Sequence, residues 1–97
     1  MIMIVTGESV AKIEIYTTTY CPFCDRAKAL LKRKGASYQE IDVTTDTDLR
    51  IAMMERAGGR KSVPEIFIDG ELVGGFEELK TLDDAGRLDP MLGSATA

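Results

Sequence analysis

Histidine is absent from the 97 residues of this chain, and cysteine occurs only twice. A structural zinc site normally takes four Cys or His ligands, so the chain lacks the ligands for a zinc site of its own. Basic residues are also in deficit, because 12 Lys and Arg stand against 16 Asp and Glu and give a formal net charge of −4. Nucleic-acid binding needs a surplus of Lys and Arg to neutralise phosphates, so no nucleic-acid partner is expected.

Long apolar runs are lacking as well. No stretch approaches the roughly 20 apolar residues that span a bilayer. The apolar run at residues 1–5 is shorter than the core of a signal peptide and has no basic residue before it. We therefore expect no membrane association and a cytoplasmic location. Thiols are kept reduced there, so a close cysteine pair is expected to be catalytic or metal-binding rather than structural.

The composition suits a single globular domain. A chain of this length that is 44% hydrophobic and 29% charged can bury one core. No repeat, low-complexity run or Pro/Gly/Ser-rich linker divides it. We predict a domain over residues 12–92, preceded by an N-terminal extension over residues 1–11 and followed by a flexible C-terminal tail over residues 93–97.

Apolar alternation and turn signals predict four short strands. Residues 13–16 alternate apolar and polar side chains, and residues 38–43 form a second candidate. Residues 65–68 and 71–73 are two apolar runs joined by Asp69-Gly70, the strongest short-range hairpin signal. We therefore predict a β-hairpin at the third and fourth strands.

Apolar residues at helical spacing predict three helices and a final helical turn. The first helix begins at Pro22 and ends before Gly35. The third covers residues 76–84, and residues 88–92 form the last turn. The second helix follows possible N-caps at residues 44–48 and presents an apolar face of Leu49, Ala52, Met53 and Ala57.

The predicted order is β-α-β-α-β-β-α. Each of the two β-α-β connections is expected to join parallel strands, and the hairpin adds antiparallel ones. The expected fold class is therefore α/β, with a mixed four-stranded sheet flanked by helices.

Cys21 and Cys24 are the candidate reactive residues, because they stand at the start of the first helix. Unpaired N–H groups and the helix dipole at a helix N-terminus favour a thiolate over a thiol at Cys21. Cysteines in such settings have pKa values lowered to roughly 3.5 to 7.5, and only the thiolate attacks a disulfide. Cys24, almost one turn later, is placed to attack a mixed disulfide on Cys21. Arg26 and Lys28 are expected to add to the positive field.

Two other uses of the cysteine pair stay open at this point. A metal or iron–sulfur centre could be shared between two chains. A purely structural disulfide is the second alternative, although so short a loop restrains little unfolded-chain entropy.

Four motifs follow one another between about residues 12 and 92, and together they are specific. They are Ile15-Tyr16-Thr17 with Cys21-Pro22-Phe23-Cys24, Ser62-Val63-Pro64, Phe67-Ile68-Asp69-Gly70, and Gly74-Gly75-Phe76-Glu77-Glu78-Leu79. In this order they resemble the bacterial dithiol glutaredoxins. The resemblance implies a thioredoxin fold and a glutathione-dependent thiol–disulfide oxidoreductase that reduces protein disulfides and glutathione mixed disulfides.

The resemblance also implies roles for individual residues. Cys21 would be the nucleophile that carries the glutathione adduct, and Cys24 would resolve it. In the family the proline that matches Pro64 is cis, and the backbone of the preceding residue, here Val63, pairs with the cysteine of glutathione. From the sequence alone, a trans Pro64 at the start of a strand is the default. The residues implied to bind glutathione are Phe23, Arg60, Ser62, Val63, Pro64, Gly75, Phe76, Glu77 and Glu78.

Glutathione is implied as a dissociable co-substrate, with no tightly bound cofactor and no metal. The other implied partners are disulfide-containing or glutathionylated proteins, with ribonucleotide reductase as one candidate. The chain itself is expected to be a monomer.

Several positions depart from the family pattern. Thr18 stands where the family often has a Lys that holds the glycyl carboxylate of glutathione, and Arg60, assisted by Lys61, is expected to take over that contact. The helix N-terminus at residues 74–78 suits the γ-glutamyl carboxylate, with Glu77 or Glu78 for the ammonium. Two milder exchanges are Phe23 for Tyr and Ser62 for Thr.

Two rival functions accompany this reading. A thioredoxin-like or ribonucleotide-reductase-specific redoxin would share the fold, although thioredoxins commonly carry Trp and this chain has none. A cluster carrier would hold an iron–sulfur centre between two chains, which Pro22 argues against within the resembling family.

Overall fold

The computed structural model describes residues 11–93. Except for Ala11 and Gly93, the predicted extension and tail lie outside the described residues. Within the described part, no helix is long and apolar enough to cross a membrane. The elements in chain order are β1 (Ile13–Thr17), α1 (Pro22–Arg33), β2 (Gln39–Asp42), α2 (Thr47–Arg56), β3 (Glu65–Ile68), β4 (Glu71–Gly74), α3 (Phe76–Asp84) and α4 (Leu88–Met91).

The four strands form one mixed sheet in the order β2-β1-β3-β4. β1 pairs with β2 in parallel and with β3 in antiparallel, and β3 pairs with β4 in antiparallel. The predicted fold class and the predicted hairpin are confirmed. Asp69 and Gly70 both have positive φ, 52° and 83°, as a type I′ hairpin turn requires.

The parallel pairing predicted for the second β-α-β connection is wrong. β3 lies on the far side of β1 from β2 and runs antiparallel to β1. Asp42 at the end of β2 stands opposite Thr17, and Glu65 at the start of β3 stands opposite Tyr16. α2 and the loop after it therefore leave and rejoin the sheet at the same end, so β3 must run in the reverse direction.

Successive residues of the central strands face two helix layers, because strand side chains alternate between the faces of a sheet. One face carries the larger core, in which β1 and β3 contribute Ile13, Ile15, Ile66 and Ile68. Helices α1, α3 and α4 cover it with buried residues that include Ala27, Leu30, Leu31, Leu79 and Leu88. Ala11 also lies in this core. Each fully buried Leu or Ile contributes about 1.5–3 kcal/mol through removal of apolar surface from water.

The other face carries a smaller core of Tyr16, Val43, Met53, Ala57 and Phe67. α2 covers this face and begins after Asp46, whose carboxylate accepts a hydrogen bond of 2.9 Å from the N–H of Leu49. Leu49 was predicted on the buried face but is 39% exposed. The smaller core reaches only the C-terminal half of α2, so the side chain of Leu49 lies beyond it.

Candidate active site

Cys21 is the N-cap residue of α1, at the helix start where the sequence predicts it. Its backbone is extended, with φ −147° and ψ 94°, and its sulfur accepts a hydrogen bond of 3.0 Å from the N–H of Cys24. Pro22 takes the first helical position, where the lost N–H has no intrahelical acceptor. The sulfur of Cys21 therefore lies in the field of the unpaired N–H groups at the helix start, which stabilise a thiolate.

The two cysteines form a disulfide, so the structure shows the oxidised state of the pair. Their Cα atoms are 5.1 Å apart. Cys21 keeps 8% of its surface exposed and Cys24 only 1%. Cys21 is thus the sulfur that an approaching thiol reaches first, and Cys24 lies behind it in the first turn of α1.

The peptide bond between Val63 and Pro64 is cis, in agreement with what the resemblance implied. The carbonyl oxygen of Val63 lies 3.8 Å from the sulfur of Cys21. The backbone of the loop before β3 therefore lies directly beside the reactive sulfur.

A pocket of about 220 Å³ reaches the cysteine motif through Phe23, although neither cysteine lines it. All nine residues predicted to bind glutathione line it: Phe23, Arg60, Ser62, Val63, Pro64, Gly75, Phe76, Glu77 and Glu78. They come from three separate parts of the chain, namely the start of α1, the loop before β3 and the start of α3. The fold therefore collects the predicted residues in one place.

Two glycines precede α3 and have close neighbours. A Cβ atom at Gly75 would lie 3.3 Å from the carbonyl oxygen of Pro64, so the missing side chain lets the N-terminus of α3 approach the loop before β3. Gly74 has φ 121°, and a Cβ atom there would lie 2.8 Å from a carboxylate oxygen of Glu78. Gly74 therefore leaves room for the carboxylate that accepts from the N–H of Gly75.

Two aromatic rings also line the pocket. The ring centroids of Phe23 and Phe76 are 6.3 Å apart, and Phe23 is 46% exposed. The guanidinium of Arg26 lies 5.1 Å from the centroid of Phe23, within the range of a cation–π interaction.

The two glutamates at the start of α3 have different surroundings. Glu78 accepts a hydrogen bond of 2.7 Å from the N–H of Gly75, and this bond holds the pKa of Glu78 below its ordinary value. Arg60 also approaches Glu78, at 3.7 Å between Nη2 and Oε1. Glu77 is exposed on the pocket wall. Glu77 is therefore better placed than Glu78 to meet the ammonium group of a ligand.

Arg60 is the cation of the pocket, and its side chain is 41% exposed. Its Nε lies 3.3 Å from Oε2 of Glu65. Lys61, which was expected to assist Arg60, is exposed and lies outside the pocket lining, as does the half-buried Thr18.

Lys28 was expected to add positive field at Cys21. Its ammonium lies 3.0 Å from a carboxylate oxygen of Glu40 and 3.7 Å from one of Asp25. The hydrogen bond to Glu40 raises the pKa of Lys28. Because two carboxylates surround this charge, it contributes little to the field at the cysteines.

The sequence reasoning missed two residues near the site. Glu65 is fully buried behind Arg60 and Ser62, and burial raises its pKa, although the charge of Arg60 opposes the shift. The signal for it was a charged residue at the start of an otherwise apolar strand, directly after Pro64. Tyr20 is 95% exposed next to Cys21, and an aromatic residue beside the first cysteine was the signal there.

Comparisons with known proteins agree with this geometry. The glutaredoxin family model matches residues 13–73. A probable glutaredoxin of Synechocystis sp. is 55% identical over 84 residues, which cover 87% of this chain and 96% of that protein. Glutaredoxin 3 of Escherichia coli K12 is 49% identical over 82 residues, which cover 84% of this chain and 98% of that protein.

Solved structures show the same similarity. The crystal structure of a buckwheat glutaredoxin–glutathione complex superposes with a TM-score of 0.79 at 31% identity, covering 90% of this chain and 81% of that one. The solution structure of glutaredoxin from Brucella melitensis gives a TM-score of 0.77 at 47% identity, covering 90% of this chain and 94% of that one.

Proposed function

The chain belongs to the glutaredoxin family, has the thioredoxin fold and is a thiol–disulfide oxidoreductase, and from this premise we propose that glutathione is its reductant. The proposed reaction is the reduction of protein disulfides and glutathione mixed disulfides through a dithiol cycle of Cys21 and Cys24. Glutathione acts in it as a dissociable co-substrate, with no tightly bound cofactor.

The observation that carries this proposal is the pocket next to the cysteine motif. It combines a cation, an exposed carboxylate, the backbone of Val63 and a helix N-terminus, and the carbonyl oxygen of Val63 lies 3.8 Å from the sulfur of Cys21. Glutathione has two carboxylates, one ammonium, two peptide groups and one thiol. The polar groups of the pocket match these features in kind.

The first chemical step is attack by the Cys21 thiolate on a mixed disulfide between glutathione and a protein. A bond forms between the sulfur of Cys21 and the sulfur of glutathione, and the protein thiolate leaves and takes up a proton. The N-terminus of α1 supports this step because its free N–H groups stabilise the attacking thiolate. The backbone of Val63, 3.8 Å from Cys21, is placed to pair with the glutathione peptide during the attack.

The second step removes glutathione from Cys21. In one route a second glutathione thiolate attacks the glutathione sulfur of the mixed disulfide, which forms glutathione disulfide and releases the Cys21 thiolate. In the other the Cys24 thiolate attacks the sulfur of Cys21, which releases the glutathione thiolate and closes the disulfide seen in the structure. Two glutathione molecules then reduce that disulfide and are themselves oxidised. Cys24 is nearly fully buried, so it meets a sulfur on Cys21 more readily than one in solution.

The charges of the pocket suggest one orientation of glutathione. The guanidinium of Arg60 receives the glycyl carboxylate in a charge-assisted hydrogen bond. The γ-glutamyl carboxylate lies at the start of α3, where the N–H groups of Phe76 and Glu77 have no intrahelical acceptor. The carboxylate of Glu77 then meets the ammonium group.

A coupled assay tests the proposal. The protein is supplied with a glutathione mixed disulfide, millimolar glutathione, glutathione reductase and NADPH, and Cys21→Ser protein is the blank. We expect NADPH oxidation that depends on the wild-type protein. The proposal is wrong if glutathione does not regenerate the protein while thioredoxin and thioredoxin reductase do.

We also propose disulfide-containing or glutathionylated proteins as the physiological partners, with ribonucleotide reductase one candidate. A cytoplasmic location agrees with this role, because the cytosol maintains the reduced glutathione that the cycle consumes. The protein is proposed to work as a monomer, since one chain provides both cysteines and the whole pocket lining.

A further inference from the structure

Glu65 is a buried carboxyl group for which the proposed mechanism has no use. It is the first residue of β3 and is 0% exposed. Its Oε2 lies 3.3 Å from Nε of Arg60 and accepts a hydrogen bond of 3.4 Å from the hydroxyl of Ser62. Its Oε1 has no hydrogen-bond partner within residues 11–93. A buried carboxylate with one oxygen unpartnered destabilises a fold, so packing does not explain its presence.

The position of Glu65 connects it to the pocket without placing it in the pocket. Arg60 and Ser62 line the pocket, and Glu65 lies behind both of them. Arg60 is also within 3.7 Å of Glu78 on the other side. The guanidinium therefore stands between two carboxylates, and a ligand carboxylate would be the third anion around it.

We propose that the charge of Glu65 controls how strongly the pocket binds the carboxylate of its thiol co-substrate, by neutralising part of the positive charge that Arg60 presents. The inference rests on the proposed function, because it takes Arg60 as the group that receives the glycyl carboxylate of glutathione. Glu65 touches no ligand and acts through Arg60, so it is a positioning residue. When Glu65 is ionised the pocket binds the anion weakly, and when Glu65 is neutral the pocket binds it tightly.

Few charged groups face Glu65, so the effect of its charge on ligand binding can be distinguished from the effects of other charges. Arg60 approaches it from the loop after α2, and Glu78 approaches from α3. Tyr16 stands opposite Glu65 on β1, and its hydroxyl accepts a hydrogen bond from Arg56. Burial raises the pKa of Glu65 above its ordinary value, whereas the pKa of Glu78 is lowered by the N–H of Gly75. The two carboxyl groups therefore titrate in different pH ranges.

Equilibrium binding of S-methylglutathione to the oxidised protein tests the proposal by calorimetry. This probe keeps both carboxylates and the ammonium of glutathione but has no thiol, so neither thiol ionisation nor exchange disturbs the measurement. We expect Glu65→Gln to bind it about fivefold more tightly than wild type near pH 7, the order of effect of one unit charge several ångströms away at high effective dielectric. Gln keeps an oxygen that can accept from Arg60, so the substitution removes the charge and retains the shape.

Two further variants separate the proposal from general electrostatics. Glu71→Gln removes one negative charge from the exposed start of β4, outside the pocket lining, and is expected to leave the affinity unchanged. In an Arg60→Gln background, Glu65→Gln is expected to give no gain, because the residue through which it acts is gone.

A pH series on the wild-type protein and on Glu65→Gln provides a second test. Between about pH 5 and 7 both carboxylates of the probe are ionised and its amine is protonated. We expect the affinity of wild type to weaken as the pH rises through the pKa of Glu65, which burial raises above its ordinary value, and that of Glu65→Gln to stay level. Equal or weaker binding by the variant near pH 7, or a wild-type affinity that strengthens as the pH rises, would overturn the role of Glu65. Absence of binding by every protein would overturn the proposed glutathione site itself.

Discussion

Cys21 and Cys24 differ in exposure, and this difference predicts different consequences of losing each sulfur. Cys21→Ser is expected to abolish reduction of both mixed disulfides and protein disulfides, because a hydroxyl at the helix N-cap does not ionise in the working pH range. Cys24→Ser is expected to keep the removal of glutathione from proteins and to lose the reduction of protein disulfides, since only the second reaction needs a resolving thiol. Parallel assays with a glutathionylated peptide and an intramolecular disulfide measure both. Equal and complete loss in both variants would contradict the separate roles.

Thr18 gives a second prediction at the scale of the residue, because it stands where the resembling family often has a Lys. Thr18→Lys is expected to lower the KM for glutathione by up to about fivefold with little change in kcat, as one added solvent-exposed charge contact provides roughly 0.2–1 kcal/mol. Ser37→Lys is the matched control, because Ser37 is exposed before β2, at the end of the sheet away from the cysteines. An equal fall in KM in both variants would indicate a general charge effect.

Residue-scale features were predictable where they depend on local sequence or on a motif. The position of Cys21 at the start of α1 follows from Pro22 and the apolar spacing after it, and eight of the nine pocket residues lie in the motifs, whereas Arg60 lies outside them. Their ligand stays a prediction. Glu65 was not predicted, because its contacts with Arg60 and Ser62 form only when the loop before β3 is folded. A strand pattern gives the side chain's face but not its burial depth or partner.

The hairpin between β3 and β4 depends on the backbone of its two turn residues. Gly70 has φ 83°, and a Cβ atom there would meet nothing within 4 Å. Gly70→Ala is therefore expected to destabilise the protein by about 1–2 kcal/mol through backbone conformation alone. Urea denaturation measures the change in the free energy of unfolding.

Asp69 supplies the control for this prediction. Its side chain accepts a hydrogen bond of 2.9 Å from the N–H of Lys12, and its own N–H donates to the carbonyl of Lys12 at 2.8 Å. Asn tolerates positive φ and keeps an accepting oxygen, so Asp69→Asn is expected to leave the stability nearly unchanged. If Gly70→Ala were as stable as Asp69→Asn, the turn geometry would not limit the hairpin.

Helix α2 has a narrow apolar face, and Arg56 completes its contact with the sheet. Nη1 donates a hydrogen bond of 2.9 Å to the hydroxyl of Tyr16, Nη2 lies 3.0 Å from Glu14, and the guanidinium carbon lies 4.0 Å from the ring centroid of Phe67. Arg56→Lys is expected to destabilise the protein by about 1 kcal/mol, because a lysine ammonium cannot reproduce the planar, forked contact.

Arg50→Lys is the matched control on the same helix, where no ion pair or ring contact is formed with the residues that the structure describes. Thermal or urea unfolding of both variants measures the difference. Equal stability of the two variants would show that the contacts of Arg56 do not hold α2 to the sheet.

The helices and strands were largely predictable, but the direction of β3 and the extent to which α2 is buried were not. Periodicity is local, so the extents of α1 and α3 followed from the sequence. The direction of β3 depends on which side of β1 the chain passes after α2, and no residue pattern encodes that. The exposure of Leu49 has a similar origin, because a helical face is buried only as far as the core beneath it extends.

Carboxyl groups in different parts of the molecule contribute to stability with opposite dependence on pH. The hydroxyl of Thr17, followed by the ammonium of Lys28, lowers the pKa of Glu40, and the N–H of Gly75 lowers that of Glu78. Both groups give stability that is present above the ordinary pKa of 4.5 and is lost as the pH falls through their lower folded-state values. The contribution of Glu65 to stability changes with pH in the opposite direction. Burial raises its pKa, so the stability linked to its protonated form is present below 4.5 and is lost as the pH rises through its folded-state value.

The pH dependence of stability therefore separates Glu65 from Glu40 and Glu78. The free energy of unfolding of Glu65→Gln minus that of wild type is expected to increase from about pH 4 upwards and to level off once buried Glu65 is ionised. This slope reflects only proton binding at position 65, so it is independent of any constant change in packing that Gln introduces. Urea denaturation at a series of pH values measures it, with Glu71→Gln as the control for losing one negative charge. A difference that stays constant or falls as the pH rises would mean that the folded protein holds Glu65 ionised at no penalty.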